Sequence, residues 1–117
     1  MNVEKLTVEL RKFASDREWD QFHSPKNLAI ALSLEASELL EIFQWSRGQT
    51  GWQEVEDPAV KARVEHELAD VLLYLIRFAD LAGIDLETAA LRKLAINHQK
   101  YPIALAKGSD KKYNELS

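Results

Sequence analysis

The chain has 117 residues, with 15 Lys and Arg against 19 Asp and Glu, for a formal net charge of −4. That length fits one domain and leaves little room for two, and 46% hydrophobic with 29% charged residues is too apolar for a disordered chain. Cysteine is absent, which excludes disulfides, thiolate nucleophiles and Cys-based metal sites. The acidic excess argues against a nucleic-acid polymer as partner. The opening Met-Asn-Val-Glu-Lys shows no apolar core of a secretory leader, and no apolar run approaches a membrane span.

In chain order, Val3, Leu6, Leu10 and Phe13 recur at spacings of three and four and predict a first amphipathic helix over 3–18. The stretch Trp19 to Ser24 breaks that period. Ser24 before Pro25 is an N-cap followed by proline at the first helical position, and predicts a second helix running to about Trp45. Residues 46–53 read as a loop. Asp57-Pro58 repeats the cap-plus-proline signal and opens a third helix that ends near Gly83. Asp85 with Thr88 opens a fourth, which must stop by Tyr101 because Pro102 disfavours helix in the residue before it. No strand pattern, repeat or low-complexity block is visible. The expectation is an all-α, four-helix bundle-like fold. A single helical domain spans 1–106, and residues 107–117 form a polar, solvated tail.

The acidity is unevenly placed. The second helix carries an apolar stripe at Leu28, Ala31, Leu32, Leu39, Ile42 and Trp45, and stepping along it by three and four lands on Glu35 and Glu38. The third has Val60, Val64, Val71, Tyr74 and Phe78, with Glu67 on the stripe and Asp70 three residues on. One inward Glu is usually a solvated flank residue, but two matched pairs on consecutive long helices are not easily read that way. Buried carboxylates without counter-charge protonate or push the helices apart, and no basic residue shares these stripes. A divalent cation with oxygen ligands solves the problem, and an all-carboxylate set suits Mg²⁺ or Mn²⁺. Ferritin-like di-iron chemistry needs Glu-x-x-His, and no histidine here has Glu three positions before it. His66-Glu67 begins like a zinc-peptidase motif, but Asp70 stands where the second His belongs. Hard Mg²⁺ on few carboxylates spends its other positions on substrate phosphates, and no Walker-type loop is present to share them.

These residues resemble a known family. Glu35-x-x-Glu38, a gap of 28 residues, then Glu67-x-x-Asp70 is similar to the MazG-like all-α nucleoside triphosphate pyrophosphohydrolases, and within them to the dCTP pyrophosphatase branch. The shared features span nearly the whole chain. They are Arg17-Glu-Trp-Asp-Gln-Phe-His23, Pro25-Lys-Asn-Leu28, Glu35-Ala-Ser-Glu38-Leu-Leu-Glu41-Ile-Phe-Gln-Trp45, Glu67-Leu-Ala-Asp70-Val-Leu-Leu-Tyr74-Leu and Asn97-His-Gln-Lys-Tyr-Pro102.

The resemblance implies Mg²⁺-dependent hydrolysis of a deoxynucleoside triphosphate to monophosphate and pyrophosphate. It implies a preference for dCTP or a 5-modified dCTP, as cytoplasmic nucleotide-pool housecleaning, by a homodimer or homotetramer. Glu35, Glu38, Glu67 and Asp70 would hold the metal and carry the chemistry, with Mn²⁺ a possible substitute. Trp19 and Trp45 would sandwich the base, His23 and Tyr74 would line the nucleoside pocket, and Lys93 and Asn97 would lie near the phosphates. One departure is apolar Leu10, where related members can place a polar pocket residue. Read without the family, Trp19 is a packing anchor, His23 a surface histidine, Tyr74 core, and Lys93 and Asn97 a solvated face. Two alternatives are the same chemistry on dUTP, dUDP, dATP, a noncanonical triphosphate or phosphoribosyl-ATP, and a non-catalytic helical interaction module.

Overall fold

A computed structural model of the chain describes residues 1–46 and 51–116, and every regular element among them is helical. Six α-helices follow one another: α1 Val3–Asp16, α2 Pro25–Glu41, α3 Gln53–Glu56, α4 Pro58–Ala82, α5 Leu86–Lys100 and α6 Ile103–Ala106. The four long ones are the four expected from the sequence. Two 3₁₀ turns lie at Asp20–Phe22 and Tyr113–Glu115.

The capping signals act as their chemistry dictates. The Ser24 hydroxyl accepts from the Asn27 amide at 3.2 Å, Asp57 from Ala59 at 2.9 Å and Asp85 from Thr88 at 3.0 Å, each satisfying a donor that the first helical turn leaves free. Gly83 ends α4 in the left-handed region at φ 69°, a conformation open to glycine because no Cβ is there to clash.

The second helix is shorter than its stripe suggests. α2 stops at Glu41, and the chain continues through Trp45 in tightened turns, with Phe43 bonded to the Leu40 carbonyl, Gln44 to Glu41 and Ser46 to Phe43. Such i→i−3 bonds commonly close a helix that has no C-terminal cap of its own. The reading of 46–53 as a loop falls partly on residues 47–50, outside the described residues. Beyond them Gln53–Glu56 adds a short helix, held by the Ser46 hydroxyl donating to Glu54 at 2.5 Å.

The chain divides into two compact units, Met1–Gly83 and Ile84–Ser117. In the first, α1, α2 and α3 pack along α4, and Ala14, Leu28, Ile76 and Ala79 form a small buried core. Arg11 on α1 forks onto Asp80 of α4 at 2.5 and 2.8 Å, which holds the Asp80 carboxyl below the usual carboxylate range. In the second unit the tail folds back, Tyr113 meeting the Tyr101 ring edge-on at 6.4 Å with the Lys100 ammonium 4.7 Å from its centroid.

Candidate active site

The stripes of α2 and α4 bring three carboxylates together. Oxygens of Glu35, Glu38 and Glu67 lie within 4.8 Å of one another, and so do ligand atoms of His66, Glu67 and Asp70. Glu67 belongs to both groups and joins them. Glu35, Glu67 and Asp70 are partly buried, whereas Glu38 is exposed at the rim. One oxygen each of Glu35 and Glu67 is buried without any hydrogen-bond partner.

Unpaired buried oxygens show in the proton affinities. Burial first, then the shared hydrogen bond and charge of Glu38, then Asp70 and Glu67, push Glu35 up from 4.5 to about 7. Glu67 is raised for the same reasons, led by burial and then Glu38. Tyr74 is raised by burial and by the charges of Glu35 and Asp70, which sets its hydroxyl beside the same cluster. Orphaned oxygens on an acid-only cluster fit a divalent hard cation, since such an ion takes oxygen ligands and cancels the repulsion that otherwise retains protons. His66 lies 3.7 Å from Asp70, beyond hydrogen-bond reach, and the sequence reading had not placed it at the site.

Beside this cluster is a cavity of about 230 Å³. Leu10, Phe13 and Ala14 of α1 form one wall, and Asp70, Leu73, Tyr74 and Arg77 of α4 form another. Trp19 and His23 close it from the connection between α1 and α2. Local backbone geometry aims Trp19. α1 ends with Glu18 in the left-handed region at φ 55°, while the Trp19 amide reaches back to the Ala14 carbonyl at 2.9 Å and the Glu18 amide to Ser15 at 3.0 Å. That bond pair is a Schellman closure, with glutamate where glycine is usual, and holding a residue with a side chain there costs roughly 1 kcal/mol. Trp19 then meets Phe13 edge-on at 5.6 Å and His23 at 6.5 Å.

The predicted residues therefore distribute unevenly. Glu35, Glu38, Glu67, Asp70 and Tyr74 gather around the cluster, and Trp19 and His23 share a cavity with Asp70 and Tyr74. Trp45 is 87% exposed and takes no part in lining that cavity. Lys93 and Asn97 lie on α5 in the second unit, Lys93 exposed and Asn97 partly buried.

Sequence reasoning missed Arg77. It is 4% exposed, the one buried charged residue among those described. Its signal was present, because 70, 74 and 77 continue the inward row of α4 that revealed the carboxylates.

The comparisons with known proteins agree with this architecture. Residues 30–116 match the MazG-like family. The chain is 44% identical over 109 residues to dCTP pyrophosphatase 1 of Homo sapiens and 42% identical to that of Rattus norvegicus. Each alignment covers 90% of this chain but 62% of the relative, so the chain spans about three-fifths of their length. A solved pyrophosphatase from Archaeoglobus fulgidus superposes with a TM-score of 0.80 at 45% identity, covering 87% of this chain and 94% of that one. With most of its length matched by the family, at such identities and with the same fold, the chain belongs to the MazG-like family.

Proposed function

We propose that the chain hydrolyses a deoxynucleoside triphosphate to the monophosphate and pyrophosphate, with dCTP or a 5-modified dCTP preferred and Mg²⁺ as cofactor. The observation that carries this reading is the double position of Asp70. It is at once a wall of the aromatic cavity and a member of the acidic cluster, so a base in the cavity has its phosphates at the carboxylates. The relatives named dCTP pyrophosphatase and the solved pyrophosphatase support the same chemistry.

Glu35, Glu38, Glu67 and Asp70 would hold the cation. Bound there, a divalent ion acidifies water and neutralises the charge that develops on the departing pyrophosphate. The chain supplies the rest. Trp19 gives the base an aromatic face, worth about 1–3 kcal/mol per stacked base, while Leu10 and Leu73 add apolar wall to the cavity. Glu38 is exposed at the rim and interacts with both Glu35 and Glu67, which supports it as the carboxylate that would accept the proton of an attacking water.

Trp45 enters as a second platform only through another copy of the chain. Its exposure, together with Leu34 at 59% and Leu40 at 70% on the preceding helix α2, supports a homodimer or homotetramer. A monomer by light scattering at assay concentrations contradicts that assembly.

Incubating the protein with Mg²⁺ and each natural or 5-substituted deoxynucleoside triphosphate, with pyrophosphate detected separately from phosphate, tests the reading. The expected result is fastest pyrophosphate release from dCTP or its 5-substituted forms. Faster release from dUTP, dATP or phosphoribosyl-ATP assigns the cavity to another base. No release from any of them leaves a helical binding module.

A further inference from the structure

Arg77 sits outside the acidic cluster, and its contacts leave it no freedom. Its Nε donates to Nδ1 of His23 at 3.0 Å. Its Nη2 donates to Asp20 at 2.5 Å, and Nη1 lies 3.8 Å from Asp80, itself clamped by Arg11. The guanidinium is thus fixed from three sides within a side chain 5% exposed.

An arginine in a protein does not give up its proton, and all its polar hydrogens are donors. The ring nitrogen that faces it must therefore offer a lone pair. A proton on Nδ1 would set two N–H groups head to head, so neutral imidazole there carries its single proton on Nε2. Burial and the positive charge of Arg77 also lower the proton affinity of the ring, against the opposing pull of Asp20. No hydrogen bond engages Nε2 among the described residues, and the ring lines the aromatic cavity.

We infer that Arg77 is a positioning residue that locks His23 in the neutral Nε2–H form, so that the cavity presents one fixed hydrogen-bond donor to the edge of the bound base. This deepens the nucleotide reading above and rests on it. The donor takes an acceptor, either a ring carbonyl or an unprotonated ring nitrogen, both of which a cytosine carries. It disfavours an amino group at the same place, because two donors would meet there without water to separate them.

Nitrogen-15 NMR of the whole chain tests this, with dCMP, the expected product, as the ligand. In the wild-type protein Nδ1 of His23 is expected to show the unprotonated shift and a scalar coupling to Arg77 Nε across the hydrogen bond. Addition of dCMP is expected to move the His23 Nε2–H resonance downfield together with the Trp19 indole. In Arg77→Met the coupling vanishes and KM for dCTP rises about tenfold, the worth of one hydrogen bond, with kcat nearly unchanged because ground state and transition state lose the same contact.

A protonated Nδ1 or a missing coupling in the wild-type protein overturns the lock, and that readout requires no variant to fold. Trp19 moving on dCMP addition while His23 Nε2–H stays still overturns the donor role and leaves the nucleotide reading standing. If no cavity resonance moves, the nucleotide reading falls, and the donor role with it. A KM in Arg77→Met equal to wild type also overturns the proposal.

Discussion

Glu35→Gln is expected to raise the melting temperature of the metal-free protein near neutral pH and to cost more than the ~10–100-fold in turnover that goes with losing an outer partner of a metal ligand. The two effects come from one cause. In the wild-type protein a Glu35 oxygen is buried without a hydrogen-bond partner and faces the charges of Glu38, Asp70 and Glu67. Glutamine keeps the shape, removes the charge and so relieves the repulsion without a cation. With a cation the same exchange removes a charged ligand from a site that depends on charge.

A residue kept only for folding shows the reverse, a loss of stability with activity following it. Glu38→Ala and Asp70→Ala should likewise abolish turnover with helical content near that of wild type. Activity, melting temperature and far-ultraviolet circular dichroism on the same preparations check all three. Full activity in both alanine variants shows that the cation is not held there.

The second large effect is on stability against pH. The folded-state value of about 7 for Glu35 lies above its ordinary 4.5, so between those values the native chain binds a proton that the unfolded chain has released. That contribution is complete below about 4.5 and is lost as pH rises through 7. Glu67, also raised, acts in the same direction. His23, lowered, acts oppositely, its contribution complete above its ordinary 6.5 and lost as pH falls below it.

The difference between wild type and Glu35→Gln isolates the carboxylate, and the wild-type melting temperature should fall relative to the variant between about pH 5 and about pH 8. Mg²⁺ competes with protons for these oxygens. Its stabilisation, about 2.7 kcal/mol at a hundredfold excess over Kd, should therefore be large near pH 8 and small near pH 5. Differential scanning fluorimetry with and without Mg²⁺ at both values measures it. Equal Mg²⁺ shifts at the two pH values contradict the site.

Much of this was legible in the sequence because it is local. A Ser-Pro or Asp-Pro pair caps a helix wherever it folds, and Gly83 stops one by its own backbone freedom. The inward face of Glu35, Glu67 and Asp70 follows from helical spacing against an apolar stripe, and spacing survives into the fold. Other features depended on distant partners. The end of α2 at Glu41 is invisible to periodicity, because Ile42 and Trp45 continue the stripe while the backbone has already tightened.

Trp45 shared the register of the carboxylates but not their burial, since the stripe does not state how far the neighbouring helix reaches. Arg77 bonds across 54 and 57 residues to His23 and Asp20. Its row was readable, but the partners that make a buried arginine tolerable lie in a connection whose path only the fold determines. The strained Glu18 left no sequence mark, because glutamate gives no warning of a left-handed backbone.

The most direct measurement is the product released from dCTP with Mg²⁺, after chelation, and after Mg²⁺ or Mn²⁺ is restored, with pyrophosphate, phosphate and dCMP each quantified. The predicted result is pyrophosphate and dCMP in equal amounts, no phosphate, loss of both on chelation and recovery with either ion. Phosphate as the first product contradicts pyrophosphate as the leaving group, and pyrophosphate release that survives chelation contradicts a cation site on the α2 and α4 carboxylates.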